Sequence, residues 1–164
     1  MAQSTETLPN GLQLLQDDRF FKLGQDSVLL SAFAKPRRNA KLLDLGCGTG
    51  ALALLVWRPD LKITGLELQD GPLDLFRQSI AANDLENVTA LQGDLRQMRT
   101  LLPHGSMDYV ICNPPYFDRN AGANAPTAEK RTARQDATCS VEELAVAASF
   151  VLLYRTARFR RVTD

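Results

Sequence analysis

Asn113, Pro114, Pro115, Tyr116 and Phe117 stand in one unbroken run directly after the apolar stretch 107–112. Two successive prolines fix φ twice and remove two backbone donors, which makes a rigid turn that aims its flanking side chains. Asn113 supplies a carboxamide oxygen on that stiff backbone, and Tyr116 and Phe117 supply flat faces. The set suits an amine attached to a planar ring. The Asn113 oxygen, with the Pro114 backbone carbonyl, can accept both hydrogens of an NH2 group and turn its lone pair toward an activated methyl. Tyr116 can stack on the ring. Transfer by in-line displacement then depends mainly on positioning, so Asn113, Pro114, Pro115 and Tyr116 are the expected catalytic residues.

A second constellation lies upstream, in Asp44-Leu45-Gly46-Cys47-Gly48-Thr49-Gly50. Its glycines permit a tight turn and close ligand approach, and a following helix would present free N–H groups. The spacing is GxGxG rather than the GxGxxG of pyrophosphate binders, which disfavours a nicotinamide dinucleotide. Glu67 follows Gly48 by nineteen residues, the separation expected for a carboxylate that accepts from ribose hydroxyls. Asp94, in Gly93-Asp94-Leu95, is a candidate acceptor for an adenine amino group, or a helix cap. Leu68 and Leu95 adjoin these acids and count in the same ligand-contacting set as Asp44, Gly46, Gly48, Gly50, Glu67, Asp94 and Asn113.

These residues need strand tips to bring them together, and the sequence supplies an alternation that does so. Apolar runs predict strands at 41–45, 62–68, 88–92 and 107–112. Helical spacing predicts helices at 27–33, 51–57, 72–83 and 140–153, with a short helical piece at 96–101. Val28, Leu29, Ala32 and Phe33 share one face of the first helix, and Leu73, Phe76, Ile80 and Ala81 form the inner face of another. Ser140 and Glu143 form a capping box. Residues 1–10 are polar and expected to fray, 118–139 reads as a long functional loop, and 158–162 as a fifth strand. Trp57, Phe76 and Phe150 are expected in the core. Alternating strand and helix predicts an α/β fold, a mostly parallel sheet with helices on both faces. Its ligand would sit beyond the carboxyl ends of the strands, where all the named residues fall.

The set DLGCGTG, GLELQD, GDL and NPPY resembles the class I S-adenosylmethionine (SAM)-dependent methyltransferases, with their Rossmann-like fold. Gly24-Gln25-Asp26-Ser27-Val28-Leu29-Leu30 before the sheet, and Glu129-Lys130-Arg131-Thr132-Ala133-Arg134-Gln135-Asp136 after NPPYF, narrow the likeness. Over residues 20–153 the chain is similar to bacterial tRNA adenine-N6 methyltransferases that act next to the anticodon of a valine tRNA. The resemblance implies SAM as cofactor and tRNA as partner. It places Gln25 and Asp26 near the methionine end of the cofactor, and Lys130 and Arg134 over the substrate with Tyr116 and Phe117. Gln135 and Asp136 replace a His-Glu pair of the family, which leaves that segment's role open. NPPY is shared with enzymes that methylate glutamine amides in proteins, so a protein substrate is the alternative, as is a non-catalytic SAM-binding remnant.

Composition limits the remaining classes. The 164 residues suit one domain, read as an N-terminal extension and helix (1–39) and a methyltransferase domain (40–164). Apolar residues make up 45%, yet no run reaches the ~18 needed for a membrane span, so no membrane partner is expected. Three cysteines and one histidine, none paired in CxxC, argue against a metal or a disulfide framework and for a reducing, cytoplasmic setting. Formal net charge is zero, but Arg119, Lys130, Arg131 and Arg134 cluster after NPPYF, and Arg155, Arg158, Arg160 and Arg161 crowd the end, where they could meet phosphates. A class I sheet has seven strands. The sequence accounts for five, so the last strands are expected to be missing, leaving a C-terminally incomplete sheet that a homodimer would cover.

Overall fold

The computed structural model describes residues 3–113 and 139–153. Its elements are strands β1 (Gln3–Thr7) and β2 (Gln13–Asp17), helix α1 (Gln25–Phe33), β3 (Lys41–Leu45), α2 (Ala51–Leu55), β4 (Lys62–Glu67), α3 (Asp70–Ala82) and β5 (Val88–Gln92). A 3-10 turn (Leu95–Gln97) then runs into α4 (Met98–Leu101), followed by β6 (Tyr109–Cys112) and α5 (Val141–Val151). Strands β3 to β6 form one parallel sheet in the order β5-β4-β3-β6.

The sheet is parallel because each strand is an apolar run that must be covered on both sides. Leu42 and Ile63 point into one core with Leu52, Leu54, Leu73 and Phe76 from α2 and α3. Leu43, Leu45 and Leu66 point into the other, with Met98 and with Ala147 and Val151 of α5. Helices thus pack on both faces, as the α/β reading requires. Phe76 is fully buried, while Trp57 and Phe150 pack against the first and second cores.

Several expectations need correction. Residues 1–10 do not fray throughout: β1 pairs antiparallel with β2, from Gln3 opposite Asp17 to Thr7 opposite Gln13. Every β1 side chain is exposed, so the strand is held by backbone pairing and carries no apolar alternation. The hairpin is tied to α3 by polar groups: Ser79 Oγ accepts from the Leu15 N–H at 2.9 Å, and Asn83 brackets Gln13 through both amide atoms. Ser79, not Ala81, is therefore buried on α3.

The shared apolar face expected for α1 is turned outward. Val28, Leu29 and Phe33 are exposed, and the buried side is Ser27, with Leu30 against the core. Helix α2 ends at Leu55, two residues early, with Val56 as its cap. Strand β6 starts at Tyr109, because Met107 instead bridges Leu152 in parallel. Residues 118–138 of the expected loop, and the fifth strand at 158–162, lie outside the described residues.

Candidate functional site

The carboxyl ends of β3, β4, β5 and β6 open on a single cavity of about 430 Å³. Asp44, Gly46, Gly48, Glu67, Leu68, Asp94, Leu95 and Asn113 all line it. Of the other expected cofactor residues, Gln25 and Gly50 are not on its wall, although Gly24, Asp26, Thr49 and Ala51 beside them are. Pro114, Pro115, Tyr116, Phe117, Lys130 and Arg134 fall outside the described residues, as does the basic cluster around them.

The turn after β3 owes its shape to glycine. Gly50 has φ of +82°, and a Cβ there would lie 1.9 Å from the Phe76 ring, so only glycine lets α2 start against α3. The turn is locked to β4 by two bonds to the Leu66 carbonyl, from the N–H groups of Gly46 (2.8 Å) and Cys47 (3.0 Å). Glu67 then reaches across: one oxygen accepts from the Gly48 N–H at 3.0 Å, the other from the Gln69 N–H at 2.9 Å. The half-buried carboxylate is oriented by backbone alone. Each oxygen keeps acceptor capacity, which suits a pair of neighbouring hydroxyls.

Asp44 lies beneath this turn. It is fully buried, and its Oδ2 has no hydrogen-bond partner among the described residues. Burial, reinforced by the charge of Glu67, pushes its carboxyl up to about 7. Asp94 caps the 3-10 turn by accepting from the Arg96 N–H, and the Arg96 guanidinium, 2.6 Å away, holds its carboxyl below the ordinary range. The cap is thus formed, with the carboxylate still on the cavity wall. Burial raises the thiols of Cys47 and Cys112, the latter to about 12, so they stay protonated and do not compete as nucleophiles.

Asn113 leaves β6 half-buried, and its Nδ2 donates to Ser27 Oγ of α1 at 3.0 Å. A further wall was not foreseen: Arg19, Phe20, Phe21 and Lys22, between β2 and α1. Arg19 pairs with Asp17 at 2.8 Å and lies over the Phe20 ring, whose edge occupies the space a Cβ on Gly71 would need. The only trace of this wall in the sequence is a run of two acids, two cations and two aromatics at 17–22.

Among the described residues no three His, Cys, Asp or Glu side chains gather to hold a metal, and no helix is long and apolar enough to cross a membrane. The family model of the methyltransferase small domain matches residues 24–138, which takes in every strand tip of the cavity. The chain belongs to the methyltransferase small domain family. Curated relatives agree with this membership. The tRNA1(Val) (adenine(37)-N6)-methyltransferase of a Shewanella strain is 35% identical over 74% of this chain and 52% of its own length. That of Pseudoalteromonas translucida is 35% identical over 63% of this chain and 44% of its own. The chain thus spans about half the length of the curated relatives it matches. In fold, the chain is similar to the tRNA m1G37 methyltransferase of M. jannaschii, with a TM-score of 0.56 at 15% identity, covering 91% of this chain and 40% of that one.

Proposed function

We propose that this chain is a SAM-dependent methyltransferase that acts on the exocyclic N6 amino group of adenine in tRNA. One observation carries the reading: the Asn113 carboxamide opens on the same cavity as the Gly46–Gly48 turn and the Glu67 carboxylate that the turn orients. The curated relatives bear names of this activity, which supports the choice of substrate.

The donor set fits a cationic nucleoside. Glu67 offers two oriented oxygens to ribose hydroxyls, Leu68 and Leu95 offer apolar contact to a base, and Asp94 offers an acceptor at its edge. Asp26, on the wall beside Gly24 and Ser27, offers a carboxylate suited to an ammonium. Bound SAM supplies a methyl already activated for displacement. The protein then needs only to present the amine: Asn113 Oδ1 and the Pro114 carbonyl accept its two hydrogens, and Tyr116 and Phe117 hold the ring. Lys130 and Arg134 meet phosphate. A base within folded RNA must be unstacked to enter.

The test is transfer of a labelled methyl group to total tRNA, with the product nucleoside identified after digestion. N6-methyladenosine is expected. Asn113→Ala should abolish transfer while SAM still binds by calorimetry. Glu67→Ala should weaken SAM binding by about 1.5–3 kcal/mol, the worth of hydrogen bonds to a charged group. Label on a protein glutamine would replace the RNA reading with the protein one. SAM binding without transfer to any substrate would reduce the chain to a binding module.

A further inference from the structure

We infer that Ser27 is a positioning residue for methyl transfer: it holds the Asn113 carboxamide with its NH2 toward α1, so that the oxygen is presented to the substrate amine. The inference rests on the proposed function and deepens it at the catalytic asparagine.

A carboxamide has two ends of nearly equal size and opposite chemistry, so only its hydrogen-bond partners decide which end faces a ligand. At Asn113 that partner is a serine hydroxyl, which can accept from the NH2 end or donate to the oxygen. Here it accepts, the orientation that an incoming amine, needing an acceptor, also selects. Nδ2 donates to Ser27 Oγ at 3.0 Å, across 86 residues of sequence. It is the one hydrogen bond of this side chain to another described residue. The oxygen, on the other branch of the planar amide, diverges from Ser27. Reversed, the amide would set its own NH2 against the incoming NH2, donor against donor, and methyl transfer would lose its acceptor.

The place of Ser27 suits this task. It is the buried residue of α1, in a helix whose neighbouring side chains Val28 and Leu29 are exposed. Leu30 already fastens the helix to the core. A buried hydroxyl here is not explained by packing, and its geometry is explained by Asn113. Ser27 also lies on the cavity wall beside Gly24 and Asp26. One hydroxyl thus ties the wall of the cofactor cavity to the tip of the catalytic strand.

The test compares Ser27→Ala and Ser27→Thr with the wild-type chain. Alanine favours the helix, so its effect is not a folding failure. Three readouts are needed: SAM affinity by calorimetry, single-turnover methyl transfer to tRNA, and the side-chain amide resonances of Asn113 by 15N NMR. Ser27→Ala should bind SAM as wild type does, transfer methyl about tenfold more slowly, and lose the downfield, slowly exchanging amide proton of Asn113. Ser27→Thr, which keeps the hydroxyl, should restore both. An unchanged rate or an unchanged Asn113 resonance in Ser27→Ala would overturn the inference. So would SAM affinity falling in step with rate, which would make Ser27 part of cofactor binding. Failure of the wild-type chain itself to label RNA would instead sink the proposed function, and the amide resonance would still report whether Ser27 holds Asn113.

Discussion

At the scale of single residues, Asp44 is the group with the clearest consequence. Its carboxyl, pushed up to about 7 by burial, holds a proton that the unfolded chain releases at its ordinary value of 3.8. Because the folded state binds the extra proton, this residue's contribution to stability falls as pH rises from about 4 to about 7, then levels off. The slope is about 1.4 kcal/mol per pH unit in that window. Asp44→Asn keeps the side chain's shape and removes the titration. It should be more stable than wild type at about pH 8, with the two converging toward pH 4, as urea midpoints across that range will show. A difference independent of pH would mean that Asp44 is ionised in the fold throughout. Asp44, Gly48, Glu67 and Asn113 were all legible beforehand, because each ends a strand in a regular alternation and chemistry in such sheets collects there. Arg19, Phe20, Phe21 and Lys22 were not. They reach the cavity because Phe20 docks on Gly71, a tertiary contact with no local signature.

At the scale of elements, the glycine turn between β3 and α2 is a packing device as much as a cavity wall. Gly50→Ala places a methyl inside the Phe76 ring and forces a left-handed φ on a residue with a side chain. It should cost at least about 2 kcal/mol, read as a lower thermal midpoint. Gly24→Ala is the control: its φ is −109°, nothing lies within 4 Å of its Cβ position, and the midpoint should barely move. Comparable losses in the two would show that the cost of Gly50→Ala does not arise at Phe76, since the change in chain entropy from Gly to Ala is itself stabilising. The central strands and α3 were readable because their apolar periods match what they bury. The hairpin was not, since β1 buries no side chain, β2 buries Leu14 in the core, and the backbone of β2 bonds to Ser79 and Asn83, whose polarity reads as surface. The capping box of α5 was readable and is formed, with reciprocal bonds between Ser140 and Glu143.

At the scale of the whole molecule, the outward turn of α1 leaves Leu29 at 60% and Phe33 at 79% exposure. In the described structure neither side chain contributes to the core. Leu29→Lys and Phe33→Lys should therefore each alter stability by no more than about 0.5 kcal/mol, measured by denaturant titration, and losses several times larger would show that this face is covered in solution. Periodicity identified the helix but chose the wrong side, because amphipathic spacing marks which residues are apolar and leaves open which neighbour arrives to bury them. Here the neighbour is α2, and Leu30 is the helix residue that packs against the core.

The strand order β5-β4-β3-β6 also carries a timetable. Strands β3, β4 and β5 add one after another on the same side, each next to the strand made just before it, so a chain emerging from its N-terminal end can pair them by short crossovers alone. Strand β6 then has to travel back past the first strand laid down and dock on its opposite flank. On this order the Gly46–Gly48 turn and Glu67 can come together before Asn113 arrives with β6. A substitution that slows β6 docking should prolong a transient species in which Glu67 already holds the Gly48 turn while Asn113 is still unplaced.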